Sequence, residues 1–145
     1  MVEFLSLKEL NVNNYDEIWF IVRSAKNCIK LLDNKKVKQI TELSPNYRLF
    51  KKYLELKNAG KWNHDTFLNV YVPDFLNQIR YDDNFKKRII ELKQNPNRNY
   101  GLVCFCSEER KCHRSIVAAI CYMNDITVKT KHDINEYIKD YWHKK

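Results

Sequence analysis

The segment YGLVCFC (100–106) runs through a short polar loop straight into CHRSIVAAICYM (112–123), and this pair limits the fold more than any other feature of the chain. The first stretch is short, apolar and β-prone, and reads as a buried strand. The second opens on polar residues and continues as a helix. EIWFIVRS (17–24) reads as another buried strand, ending at Arg23. VKQI (37–40) and ITVKT (126–130) read as two further, shorter strands. Strands alternating with helices argue for an α/β fold with a largely parallel central sheet flanked by helices.

The helices carry their own boundary signals. SPNYRLFKKYLELKNAG has Ser44 as the expected N-cap, Pro45 at the first helical position and Gly60 as a stop. NHDTFLNVYVPDFLNQI starts from an Asn63 cap and puts Phe67, Leu68, Tyr71, Phe75, Leu76 and Ile79 on one face. Pro73 is expected to kink or split it, because proline removes a backbone donor. DNFKKRIIELKQN runs from an Asp83 cap to the Pro96 stop. The closing DINEYIKDYWHKK pairs Asp133 and Glu136 as a capping box, with Ile134, Tyr137, Ile138, Tyr141 and Trp142 at core spacing.

With 145 residues the chain is most simply one compact domain, residues 1–145. No apolar run reaches the roughly 18 residues that a membrane span requires, and the charged N-terminus lacks a signal-peptide core. The expectation is a cytoplasmic protein with no membrane partner. Of five cysteines, three fall between positions 104 and 112, which suits a reduced compartment and a local chemical site rather than a disulfide framework.

A net charge of +8 invites a nucleic-acid reading. However, 19 of the 26 basic residues are Lys, and the chain also has 16 Asn, a pairing that AT-rich codons produce whatever the function. The lysines are scattered as Lys35, Lys36 and Lys38, Lys51 and Lys52, Lys86 and Lys87, and the terminal Lys144 and Lys145. A solvated surface explains them, so the seven arginines carry more information.

Alternation along a strand puts Cys104 and Cys106 on one face, at the carboxyl end where open α/β sheets bind ligands. Cys112, His113, Arg114 and Ser115 fall in the first turn of the next helix, where unpaired N–H groups favour anions and thiolates. Three chemistries compete. A metal would take Cys104, Cys106, Cys112 and His113. The spacing argues against it, because structural zinc sites use Cys-x₂₋₄-Cys and adjacent helical residues point about 100° apart. No bound metal is expected on this ground. A cysteine phosphatase or sulfurtransferase loop would run from Cys104 to Arg110 as Cys-x₅-Arg, yet Glu108 and Glu109 repel anions there and the loop has no glycine.

The third chemistry is an anion or nucleotide site. Arg23, Arg114 and Ser115 hold the anion, His113 serves as acid, base or donor, and Cys112 or Cys104 is the candidate nucleophile. Against all three stands a structural reading, in which the cysteines are small buried hydrophobes and Arg114 pairs with a carboxylate. For Cys28 and Cys121 that reading is the better one.

LVCFCSEERKCHRSIVA is similar to the signature of the domain of unknown function 488 family: a strand ending in Leu-Cys, an acidic variable loop, then Cys-His-Arg-Ser and a helix. IVRSAK resembles that family's strand-end arginine, which corresponds to Arg23. ELSPNYRLFKKYLELKNAGKWNHDTFLNVYVPDFLNQI resembles the middle of its shorter members, with Tyr71 in the aromatic position. The resemblance covers residues 17–124 and implies a compact α/β fold with a site joining Arg23, Cys104, Cys112, His113 and Arg114. It implies no reaction. Cys106 stands where many members carry Glu, and the proline-rich run of longer members is missing after Arg23.

The functional expectation is therefore an anion-binding, cysteine-containing site for a phosphate-bearing small molecule, a nucleotide or a nucleic-acid fragment. The alternative is a non-enzymatic nucleic-acid or protein-binding module with structural cysteines. The two differ in whether Arg23 and the Cys-His-Arg turn converge in one concave pocket.

Overall fold

Strands β2 (Glu17–Phe20) and β4 (Tyr100–Cys104) are buried along their whole length, as the centre of a sheet covered on both faces requires. In the computed structural model, which describes residues 1–142 and Asn27 by its backbone only, they pair in parallel with Phe20 opposite Val103. β1 (Val2–Ser6) lies on the other side of β4, with Ser6 opposite Cys104. β3 (Val37–Gln39) and β5 (Val128–Lys129) form the edges, giving a five-stranded, all-parallel sheet in the order β3-β2-β4-β1-β5. This is the expected α/β architecture, with one strand more than the sequence suggested.

The helices are α1 (Tyr47–Asn58), α2 (His64–Thr66), α3 (Val72–Ile79), α4 (Asp83–Gln94), α5 (His113–Met123) and α6 (Ile134–Trp142). α5 packs on β1 and β4 and carries α3 and α6 against its outer side. Its buried face includes Ile116, Val117, Ala118 and Ala119, all fully buried, so small residues let it lie close to the strands.

Several boundaries differ from the sequence expectation. α1 is capped by Asn46, whose Oδ1 accepts from Leu49 N at 2.8 Å. Ser44 instead donates its hydroxyl to Thr41 O at 2.6 Å and closes a 3₁₀ turn ahead of Pro45. α4 is capped by Asp82, not Asp83, through bonds from Asn84 N and Phe85 N. Gly60 does follow the end of α1, at φ +68°, the left-handed region that glycine enters without strain. Pro73 neither breaks nor ends its segment. A π turn over Phe67–Tyr71 takes up an extra residue between α2 and α3, and Phe67, Tyr71 and Phe75 all stay buried. The strand at 100–106 stops at Cys104, and the strand at 17–24 stops at Phe20, although Ile21 N still bonds Val103 O at 3.0 Å.

Among the described residues no helix is long and apolar enough to cross a membrane. Lys144 and Lys145 lie outside the described residues.

Candidate functional site

Three sulfurs meet where β4 hands over to α5. Cys104 ends the strand, Cys106 follows on the same side, and their Sγ atoms are 3.6 Å apart. Cys112 is the N-cap of α5 rather than a helical residue, with extended φ −128° and ψ 142°. That backbone turns its side chain back toward the strand end. All three Sγ atoms lie within 4.8 Å of one another.

His113, the first residue of α5, completes the group. Its Nδ1 is 3.8 Å from Cys104 Sγ and 3.9 Å from Cys112 Sγ. Its Nε2 is 2.6 Å from the carbonyl oxygen of Ile21, just past β2. A carbonyl only accepts, so Nε2 carries the proton, and in the neutral ring Nδ1 is a lone pair turned toward the sulfurs.

Ser115 braces the turn from behind: its hydroxyl donates to Cys112 O at 2.7 Å and pairs with Tyr141 OH of α6 at 2.6 Å. Glu109, in the loop before α5, is buried and faces the other way. It accepts from Lys131 N, His132 N and Tyr137 OH.

Arg114 lies beneath the sulfurs. It is buried, donates from Nη1 to Cys106 O at 2.7 Å, and its Nε has no hydrogen-bond partner among the described residues. Hydrogen bonds from the Cys106 and Cys112 thiols, with the Arg114 charge behind them, hold the Cys104 thiol well below its ordinary range despite burial. Hydrogen bonds to Cys104 and Cys112, together with burial, hold the Cys106 thiol well above its ordinary range.

The sulfurs floor a cavity of about 600 Å³ at the carboxyl edge of the sheet. Tyr53, Trp62 and Tyr71 form an aromatic wall, with Tyr53 and Trp62 edge-to-face at 4.7 Å and Trp62 and Tyr71 at 5.4 Å. Burial, followed by the nearby thiols, raises the Tyr53 hydroxyl to about 12 and Tyr71 well above its usual value. Both stay protonated and able to donate. Lys8, Arg23, Lys26, Lys57 and Lys111 stand around the opening, against one carboxylate, Glu108, which pairs with Lys111 at 3.4 Å. Arg23 is anchored there by bonds from Nε and Nη2 to Pro45 O at 3.1 and 3.0 Å.

Of the six residues singled out in the sequence, Arg23, Cys104, Cys112 and His113 line this one cavity, while Arg114 and Ser115 do not. Arg114 has no carboxylate within ion-pair distance among the described residues, so the structural reading of that residue does not hold. Arg110 is exposed and stands off the cavity, which removes the Cys-x₅-Arg loop. The objection that residues 112 and 113 diverge also fails, because Cys112 precedes the helix.

Cys28 and Cys121 are buried away from the cluster, and burial raises Cys121 to about 12. Of the aromatic wall only Tyr71 is marked in the sequence, through the family resemblance; Tyr53, Trp62 and the lysine rim are not. Tyr53 and Lys57 lie within α1, where nothing but helical spacing marks them, and Lys8 follows a strand that the sequence does not reveal.

The family model for the active DUF488-N3 subclade (DUF488-N3a) matches residues 5–125 of the chain. No curated protein and no solved structure matches it.

Proposed function

We propose that this chain, which belongs to the DUF488 family, binds a nucleotide-like ligand, an aromatic base carrying phosphate, in the cavity at the carboxyl edge of its sheet. One observation carries the reading: a single cavity has an aromatic wall, a cationic rim and a sulfur floor. A base stacks or packs edge-on against Tyr53 and Trp62, whose faces accept any planar ring. Phosphate goes to Arg23, already oriented by Pro45 O, and to Lys57 and Lys26 across the opening. A volume of about 600 Å³ suits a mononucleotide or the terminal nucleotide of a single strand. Arg114 answers the sulfurs rather than the ligand. The five free cysteines fit a reducing cytoplasm.

Calorimetric titration of mononucleotides, nucleosides and inorganic phosphate tests this reading. Nucleotides are expected to bind more tightly than either part alone. Arg23→Ala should weaken them by about 1.5–3 kcal/mol, the scale of a hydrogen bond to a charged group. No binding at millimolar nucleotide, or equal affinity in Arg23→Ala and Lys57→Ala, would leave the non-enzymatic binding module with structural cysteines ahead.

The approach of His113 Nδ1 to Cys104 Sγ favours a second reading, in which Cys104 is a nucleophile and His113 its base, with Cys112 as the other candidate. Brief iodoacetamide exposure with mass-spectrometric mapping addresses it. Cys104 or Cys112 should then be labelled faster than Cys28 and Cys121, and equal or slower labelling counts against a free nucleophile.

A further inference from the structure

We propose that Cys104, Cys106, Cys112 and His113 bind one zinc ion through three sulfurs and Nδ1. In a zinc tetrahedron with Zn–S near 2.3 Å, the sulfurs stand about 3.8 Å apart. The Cys104–Cys106 separation is 3.6 Å, the three sulfurs all lie within 4.8 Å, and Nδ1 is 3.8 and 3.9 Å from two of them. His113 lies outside the group of atoms within 4.8 Å of one another. The side chains must therefore rotate toward a central ion, closing by about 1 Å or more, to complete the tetrahedron.

Two features beyond the ligand atoms point the same way. Histidines that hold a metal nearly always donate their other ring N–H to a carbonyl or carboxylate. His113 does so to Ile21 O, and this leaves Nδ1 as the ligating atom. Three thiolates and a dication leave a net charge of −1. Arg114, buried beneath the cluster and without a carboxylate partner among the described residues, supplies the balancing charge. Soft sulfur with one imidazole selects zinc over the oxygen-seeking magnesium and calcium.

Binding expels to solvent the protons still on the sulfurs and forms three Zn–S bonds and one Zn–N bond. Four protein ligands fill the tetrahedron, so the centre is a closed staple. It joins the end of β4 to the start of α5 and, through His113, to the end of β2. The assignment does not depend on nucleotide binding, which uses the rim and the aromatic wall. It does exclude Cys104 as a free nucleophile.

The test uses full-length protein, reduced and dialysed against zinc, then freed of loose ion. One zinc per chain is expected. Replacement by cobalt should give the intense visible bands of tetrahedral Co²⁺ with a sulfur-to-cobalt charge-transfer band. Cys106→Ser and His113→Gln should lower zinc affinity by at least about 100-fold, beyond the loss of an outer-shell partner. Cys28→Ser should leave it unchanged. Less than stoichiometric zinc after loading, a cobalt spectrum without sulfur charge transfer, or wild-type affinity in both ligand variants would overturn the proposal. The cobalt spectrum of the wild type decides even if a variant fails to fold. Nucleotide titration of metal-loaded and metal-free protein separates a failure of this site from a failure of the nucleotide reading.

Discussion

Arg114 is 1% exposed, makes one hydrogen bond to the Cys106 carbonyl, and has no ion-pair partner among the described residues. A guanidinium in that setting is tolerable only if negative charge lies close, and the nearest source is the sulfur cluster. The effect is mutual: hydrogen bonds from Cys106 and Cys112, and then the Arg114 charge, lower the Cys104 thiol, while burial of Arg114 is outweighed by the cysteine cluster, which raises it. Arg114→Met keeps much of the packing and removes the charge. It should cost about 3–5 kcal/mol in urea unfolding, as expected for one half of a buried pair. A loss below about 1 kcal/mol would show that the two charges are not coupled. Arg23, by contrast, is half-buried at the rim, and its loss should affect ligand binding more than stability. In the sequence the two arginines look alike as anion holders, Arg23 at a strand end and Arg114 in the first turn of a helix. Only tertiary geometry puts one in the wall of the cavity and the other under its floor.

Among the elements, β2, β4 and α5 were legible because each is built on a continuous apolar run, although both strands end earlier than that run, and together they fix the position of Cys104, Cys112 and His113. β1 was not. Val2–Ser6 is short and carries Glu3 at its second position, and its burial comes from lying between β4 and β5 rather than from its own pattern. Missing β1 also hid Lys8, and with it part of the cationic rim. The π turn was hidden for a different reason: proline warns of a break, but an inserted residue preserves the burial of Phe67, Tyr71 and Phe75 on both sides of it. A closer constraint lies in β4 itself. A Cβ on Gly101 would meet three atoms of the Tyr15 ring at 3.2 Å, and that ring is held by a 2.9 Å bond from its hydroxyl to Glu3. Gly101→Ala must therefore displace a tethered aromatic ring against the central strand. The expected cost is about 1–3 kcal/mol, read from the urea midpoint at unchanged slope. Wild-type stability would mean that Tyr15 moves freely.

At the scale of the whole molecule, the two edges of the sheet do different work. The sulfur cluster and the cavity occupy the carboxyl ends of the strands. At the amino ends Glu17 of β2 accepts from Trp19 Nε1, Lys38 Nζ and Arg98 Nη2, each at 2.9 Å, and so ties β2 to β3 and to the approach to β4. Burial works against the Glu17 charge, but Trp19, Lys38 and Arg98 outweigh it and hold the carboxyl below its ordinary 4.5. Glu42 is lowered in the same way, burial being outweighed by Arg88. Glu9 is lowered first by the Ser6 backbone N–H. A carboxyl lowered in the folded state binds fewer protons there than in the unfolded chain, so stability rises with pH across that interval. The contribution is complete above the unfolded value and disappears as pH falls through the folded one. Calorimetric unfolding from pH 7 down to pH 3 should therefore show a flat Tm down to about pH 5 and a steepening loss below it. Acid also strips protonatable ligands from any metal, so the wild-type curve alone does not assign the loss to Glu17. Glu17→Gln isolates it, because the amide keeps the shape and the Trp19 bond but cannot titrate. Its Tm should start lower at pH 7 and fall less steeply below pH 5. Parallel curves for the two proteins would mean that Glu17 contributes nothing to acid sensitivity, and that the loss originates elsewhere, at Glu42, Glu9 or the sulfur cluster.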